Sequence, residues 1–411
     1  MTPARRATLL LAAAAAVLAG APARPAAVAP APADVVATYA DIALADYQDA
    51  LDTARGLGAA VTALVFDPSE AALAAARAAF RDARAPYLQS EALRFGNPLV
   101  DAFVKQVNAW PIDPALIDAA GTGPGAEAGA AGGDIVGDAR IALGGSMVDV
   151  AQITPDALAG LRDIAGEANG LSGYPVIEYL LWGEPADDTG PGTRPYTDYV
   201  VGEGCTGGHC DRRAAYLLAA TDLLVADLEI MTANWQAIGP ARIALLGGDR
   251  GLTAMLTGIG ALSAELGDEI AASLLHHEAA AMQGRFSGDI AVALSSRVDG
   301  IGSVYDGDYT RIDGTAVRGA SLSGLVAAIE PALDAAMRGR LDAARAAAEA
   351  LGERAAAGEP YARMIAAGNA EGNAAVQALV DALAEQAAAV ARIADALGLQ
   401  AVGIEGSGSV S

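Results

Sequence analysis

Apolar residues recur at steps of three and four along most of the chain, which is the period of an amphipathic helix. The first such stretch covers residues 35–65, and a turn at Asp67-Pro68-Ser69-Glu70 separates it from a second stretch at 69–93. Pro and Ser suit the start of a helix, so this turn predicts the beginning of the second one. Further helices are predicted at 154–168, 211–235, 251–281, 321–351 and 374–397.

Segments rich in Gly and Asp interrupt the helical period. Residues 121–145, 183–209 and 284–319 lack it and are predicted to be irregular, and no alternating strand pattern stands out. Long helices in two sets joined by turn-rich linkers predict an all-α fold of two tandem helical bundles. We place the bundles at 34–200 and 201–402, followed by a flexible tail at 403–411.

The N-terminus has the pattern of an export signal. Arg5 and Arg6 precede an apolar run at 7–18, which is too short to span a bilayer, and Ala21-Pro22-Ala23 fits a small-x-small cleavage site. We therefore expect a signal peptide at 1–23, a disordered Pro/Ala-rich lead-in at 24–33 and a periplasmic or cell-envelope location. No later segment is expected to span a membrane.

The amino-acid composition and net charge limit the class of binding partner. The 411 residues include 50 acidic and 26 basic side chains, for a formal net charge of -24. A nucleic-acid partner is not expected, because binding phosphates needs a basic face. A negative chain attracts cations, although the same charge also serves solubility.

The chain has two cysteines, Cys205 and Cys210. In an exported protein such a pair predicts a disulfide, which here would fix a Gly-rich turn. The alternative is a metal site that adds His209 and Asp211 to the two thiolates.

The segment from Gly173 to Gly183 places a single carboxylate, Glu178, among apolar and aromatic residues. A carboxylate in such surroundings must be paired, hydrogen-bonded or bound to a metal, or else it takes up a proton. The segment resembles the Gly-x-His-x-x-Glu signature of the imelysin family, but Pro175 stands at the His position.

Other stretches carry the same resemblance. Residues 83–96 are similar to the first motif of the family, Asn108-Ala109-Trp110-Pro111 to a later landmark, and 194–213 to the branch that includes iron-regulated protein A. The resemblance implies an all-α fold of two bundles, a site between them and an envelope protein linked to iron supply. It also implies that peptidase activity must be weighed, since some members are classed as peptidases.

The candidate site residues are mostly acidic. Glu91 and Glu178, with Asp198, are predicted to bind a hard cation such as iron or calcium, and Arg94 and Glu265 are further binding candidates. Glu91 could instead pair with Arg94 on one helix surface, and Glu178 could accept a hydrogen bond from a neighbouring helix.

Other candidates are weaker. His276-His277-Glu278 lies near a predicted helix end, where His interacts well with the helix dipole. Asp306-Gly307-Asp308 begins like a calcium loop, but Arg311 occupies the position that requires Gly and no Glu follows at position twelve. No zinc helix, nucleophile elbow or phosphate-binding loop is present.

These observations predict an exported, metal-related and iron-linked binding component of the cell envelope. Its partners would be a metal ion or small ligand and an envelope iron-uptake protein. One alternative is a metallopeptidase that uses the same cleft, although Pro175 removes the nitrogen ligand that a catalytic zinc usually needs. A second alternative is a protein that binds a polymer or partner without metal.

Overall fold

The computed structural model describes residues 29–119, 132–165, 170–187, 190–246 and 249–399. The predicted signal peptide at 1–23 and the predicted tail at 403–411 lie outside these residues. So does most of the predicted lead-in at 24–33, and the first helix begins within that range, at Pro32.

The described residues are mainly helical, which confirms the predicted all-α class. The helices are α1 (Pro32–Phe66), α2 (Glu70–Gln89), α3 (Pro98–Val107), α4 (Pro114–Asp118), α5 (Pro155–Ala165), α6 (Tyr174–Trp182), α7 (Cys210–Trp235), α8 (Pro240–Leu245), α9 (Asp249–His276), α10 (Ile290–Asp306), α11 (Leu322–Ile329), α12 (Pro331–Ala356), α13 (Tyr361–Met364) and α14 (Ala370–Ala396). Short 3-10 helices occupy Ser90–Leu93 and Tyr196–Tyr199.

The strands form two short antiparallel hairpins. In the first, β1 (Arg140–Leu143) pairs with β2 (Ser146–Asp149), so that Ile141 faces Val148. In the second, β3 (Asp308–Thr310) pairs with β4 (Ala316–Arg318), so that Tyr309 faces Val317. The second hairpin lies within the predicted irregular segment 284–319, and the first begins in the segment 121–145 and ends beyond it.

Helix packing crosses the predicted bundle boundary. α1 packs against α2 and also against α7, while α9, α12 and α14 pack together further along the chain. α10 contacts α2 as well as α9 and α12, and one cluster of buried apolar side chains extends from α1 to α14. The division near residue 200 therefore stays a prediction, and contacts from both sides meet at α2 and α10.

The prediction of an irregular 284–319 segment was wrong for α10, which fills 290–306. Gly300 and Gly302 weaken the sequence signal for a helix, but glycine is needed at both positions because atoms of other elements lie close to them. A Cβ on Gly300 would be 2.0 Å from the backbone oxygen of Gln89, and one on Gly302 would clash with the guanidinium of Arg345. Gly300 lets α10 approach the end of α2, and Gly302 leaves room for the Arg345 side chain of α12.

The disulfide between Cys205 and Cys210 is confirmed, with an S–S distance of 2.04 Å. It closes the turn that leads into α7. Since both sulfurs are bonded to each other, the alternative metal site built on these thiolates with His209 and Asp211 is wrong.

One described helix, α14, has the length and apolar composition that could cross a membrane, which the sequence analysis did not anticipate. A third of its apolar window is buried, and α14 packs against α9 and α12 as a helix of a folded core would. The feature is weak evidence for membrane insertion.

Candidate functional site

α6 carries the signature segment through the interior, and all nine of its residues are buried. Gly173 precedes it with φ 83°, and a Cβ there would lie 2.3 Å from the backbone oxygen of Val107. Pro175 occupies the first helical turn, where a missing N–H is tolerated. The local sequence thus starts a short helix that projects Glu178 into the core.

Glu178 is hydrogen-bonded to a segment more than 100 residues away. Its Oε1 accepts bonds from the backbone N–H of Ser287 at 2.8 Å and from the Ser287 hydroxyl at 2.7 Å. Burial raises the pKa of Glu178, and the Ser287 bonds and the charge of Arg84 oppose that rise. The two bonds from Ser287 hold the carboxyl group in place.

Arg84 supplies the positive charge near both motif carboxylates. It lies on the buried face of α2, attracted by Glu91 and Glu178, and burial lowers its pKa. Its guanidinium lies 5.0 Å from the ring centroid of Tyr174 and 5.6 Å from that of Tyr87. Nη2 donates to Gln283 Oε1 at 2.5 Å, whereas Nη1 is buried without a hydrogen-bond partner among the described residues.

Glu91 is fixed by two neighbours. The end of α2 passes into the 3-10 helix Ser90–Leu93, which turns the Glu91 side chain into the core. Its Oε1 accepts from Asn108 Nδ2 at 2.7 Å, and its Oε2 lies 2.8 Å from Arg297 Nε, an ion pair whose N–H is not directed at the oxygen. Arg297, on α10, also contacts Glu269 at 3.0 Å.

A polar network connects the two motif carboxylates. Asn108 donates to Gln283 as well as to Glu91, and Gln283 in turn accepts from Arg84, the cation beside Glu178. The hydrogen bonds therefore lead from Glu91 to Arg84, and the link from Arg84 to Glu178 is electrostatic. Sequence reasoning missed Arg297, which lies in the segment predicted to be irregular, and Gln283, which lies between that segment and the helix predicted at 251–281.

Arg94 and Glu265 form a pair of their own. The Arg94 guanidinium contacts the Glu265 carboxylate on α9, and both side chains are partly exposed. The suggested helix-surface pair between Glu91 and Arg94 is thus not what the structure shows, because Glu91 turns inward toward Arg297.

Asp198 belongs to a different cluster. It accepts from Arg194 at 3.3 Å and from the Thr206 hydroxyl at 2.9 Å. Arg194 and Arg213 both contact the buried Asp118, at 3.0 and 2.7 Å. This arginine-rich cluster anchors the turn beside the disulfide.

The predicted metal set of Glu91, Glu178 and Asp198 is not gathered into one site. In the part of the chain that the structure describes, no group of three or more His, Cys, Asp or Glu side chains is placed to hold a metal ion. His277, one of the weaker candidates, has Nδ1 2.6 Å from the carbonyl oxygen of Ile365. That contact satisfies the ring nitrogen locally.

A cavity of about 60 Å³ lies between α2 and the 284–296 segment. Arg84, Glu178 and Ser287 line its inner end, and an ion pair of 2.6 Å between Arg81 and Asp289 lies at its exposed rim. The rest of the wall is mainly apolar and includes Phe80, Ala85, Leu88, Val292 and Ala293. The residues that line the cavity include no histidine, so a hydrolytic site would have no imidazole base here.

Comparison with known proteins gives the family and the fold. The sequence model of the family described as Imelysin matches residues 43–390. A putative iron-regulated protein A precursor from Parabacteroides distasonis ATCC 8503 has a similar structure, with a TM-score of 0.65, 19% identity, and coverage of 90% of this chain and 96% of that one. An imelysin-like protein from Psychrobacter arcticum 273-4 has a TM-score of 0.59 and 16% identity, covering 90% of this chain and 98% of its own. No curated protein matches, and at these identities the structural likeness shows the fold.

Proposed function

Since this chain belongs to the imelysin family, we propose that it is an exported binding component of the cell envelope that serves iron supply and holds a small ligand beside Glu178 without a metal ion. The proposal favours binding over peptidase chemistry. It refines the sequence-based hypothesis by removing the metal from the central site.

The observation that carries this proposal is that arginine side chains lie beside the carboxylates where a metal ion was expected. Arg297 is paired with Glu91, and Arg84 is attracted by both Glu91 and Glu178. A metal ion bound by the two carboxylates would lie beside these guanidinium groups and would take their partners away. Leaving one buried charge unpaired costs about 3–5 kcal/mol. The residues present therefore do not fit iron or calcium as they are arranged.

Direct capture of iron or calcium by Glu91, Glu178 and Asp198 is the competing proposal. Carboxylate oxygens are suitable ligands for hard cations, and the net charge of -24 would attract them. This proposal requires the ion pairs of Glu91 and Asp198 to open and the two clusters to move together.

The iron link and the envelope location rest on two kinds of support. The Parabacteroides protein is described as a putative iron-regulated protein A precursor, and the N-terminal sequence here has the pattern of an export signal. An envelope iron-uptake protein is the partner that such a role requires.

Metal analysis of the mature protein, purified from the periplasm of a host that expresses the full chain, tests the proposal. After incubation with iron or calcium and gel filtration, we expect far less than one equivalent of either metal. We expect the same result for Glu91→Gln, Glu178→Gln and the exposed control Glu353→Gln. One equivalent in the wild type and in Glu353→Gln, lost in the other two variants, would establish the competing proposal.

A further inference from the structure

Arg84 lines the cavity and carries a buried hydrogen-bond donor without a partner among the described residues. Arg84 is 8% exposed, and its Nη1 has no partner among the described residues, although Nη2 is bonded to Gln283. Buried polar groups in folded proteins are nearly always satisfied, so an orphaned guanidinium nitrogen beside a cavity marks a place for an acceptor. Tyr87 and Tyr174 fix the guanidinium through their ring faces, which leaves its orientation preorganised.

The chemistry of the wall selects the acceptor. A guanidinium group presents parallel N–H donors that match a carboxylate, and the bond is stronger when the acceptor is charged. The remaining wall is apolar, through Phe80, Leu88 and Val292 among others. Since one water needs about 10–15 Å³ of such volume, a cavity of about 60 Å³ accepts a carboxylate with a few carbon atoms attached.

We propose that this cavity binds the carboxylate of a ligand that carries a short apolar chain, with Arg84 as the anion-binding residue. The inference rests on the proposed binding function and deepens it by naming the class of ligand. The ligand enters past the rim pair of Arg81 and Asp289, whose side chains are 47% and 29% exposed.

Glu178 does not oppose this assignment. Both hydrogen bonds described for its carboxyl group end on Oε1, and burial raises its pKa. A raised pKa reduces the repulsion between Glu178 and the carboxylate of the ligand. A cationic ligand would be repelled by Arg84, which is fixed in the same wall.

Three small probes of similar size test the charge that the cavity prefers. Butyrate, butyramide and butylamine are titrated into the mature wild-type protein and followed by ligand-observed NMR. We expect butyrate to bind at least about tenfold more tightly than the other two. Equal binding of all three, or tightest binding of butylamine, would overturn the carboxylate assignment.

Variants locate the binding. Arg84→Gln should remove the preference for butyrate. Arg55→Gln, at an exposed arginine that pairs with Glu229 of α7 and does not line the cavity, should retain it. Ala85→Leu fills the cavity and should weaken all probes. Retained butyrate preference in Arg84→Gln would contradict the proposal, and the wild-type probe comparison decides it if that variant does not fold.

The same titration separates the possible failures. If the probes bind without charge preference and lose binding in Ala85→Leu, the cavity is a binding site and only the carboxylate assignment fails. If no probe binds and a metal ion does, the proposed function fails as well. A tripeptide ending in Val, compared with its C-terminal amide and with butyrate, shows whether the carboxylate comes from a chain terminus or from a free acid.

Discussion

Replacing Glu91 by Gln tests whether that residue serves the fold through Arg297. The change keeps the shape and an oxygen that can accept from Asn108, but it removes the negative charge 2.8 Å from Arg297 Nε. Both side chains are almost fully buried, at 1% and 2% exposure, so solvent cannot compensate the guanidinium. We expect a loss of stability without a change in metal content.

The size of the loss follows from the surroundings. Removing one partner of a buried ion pair costs about 3–5 kcal/mol. Arg297 keeps a second partner, Glu269, at 3.0 Å, and Asn108 keeps its acceptor, so the lower end, about 3 kcal/mol, applies. With an unfolding entropy proportional to length, a chain of this size should lose about 4 °C in Tm.

A double-mutant cycle measures the pair itself. Glu91→Gln, Arg297→Met and the double variant are unfolded by urea and by heat, with the exposed Glu353→Gln as control. We expect a coupling energy of at least about 2 kcal/mol between Glu91 and Arg297. The free energy of unfolding of the control should change by less than about 0.5 kcal/mol. Coupling below about 0.5 kcal/mol would refute the assignment of Arg297 as the partner of Glu91.

Three further predictions concern other parts of the chain. The mature protein without reductant should show no free thiol by mass spectrometry. The double variant Cys205→Ser, Cys210→Ser should lose about 2 kcal/mol in free energy of unfolding. An unchanged stability would count against a stabilising role for the short disulfide ring. Burial, and then the charge of Asp49, raise the pKa of Asp46. The native state therefore binds more protons than the unfolded state above about pH 4, which lowers the stability of the native state at pH 7. Asp46→Asn should remove this cost and raise Tm at pH 7, and the increase in Tm should disappear near pH 4. An increase in Tm that does not depend on pH would contradict this. Insulin and casein should remain intact with added zinc, and cleavage that a chelator abolishes would restore the peptidase alternative.

Helices that bury one continuous stripe were predictable from the sequence. The apolar period of α1, α2 and α7 is set by the face that each helix buries, so the sequence alone indicates it. The disulfide was equally local, since five positions separate Cys205 and Cys210. α10 was missed because Gly300 and Gly302 serve close packing against other elements, which no local pattern reveals.

The candidate site also contains residues that the sequence predicted and residues that it did not. Glu178 was recognisable because a lone carboxylate in an apolar segment needs a partner. The identity of that partner, Ser287, depends on how the segment before α10 packs onto α6, more than 100 residues away. Arg94 was expected near Glu91 from helix spacing, but the helix changes to a 3-10 turn there and Arg297 takes that position.

A crystal structure of the mature protein soaked with 4-bromobutyrate and a manganese salt would test the central claim most directly, since bromine and manganese give separate anomalous signals. The account predicts a bromine peak in the cavity, with the carboxylate on Arg84, and no manganese at Glu91 or Glu178. A manganese peak bound by both carboxylates, with Arg84 and Arg297 displaced, would contradict it.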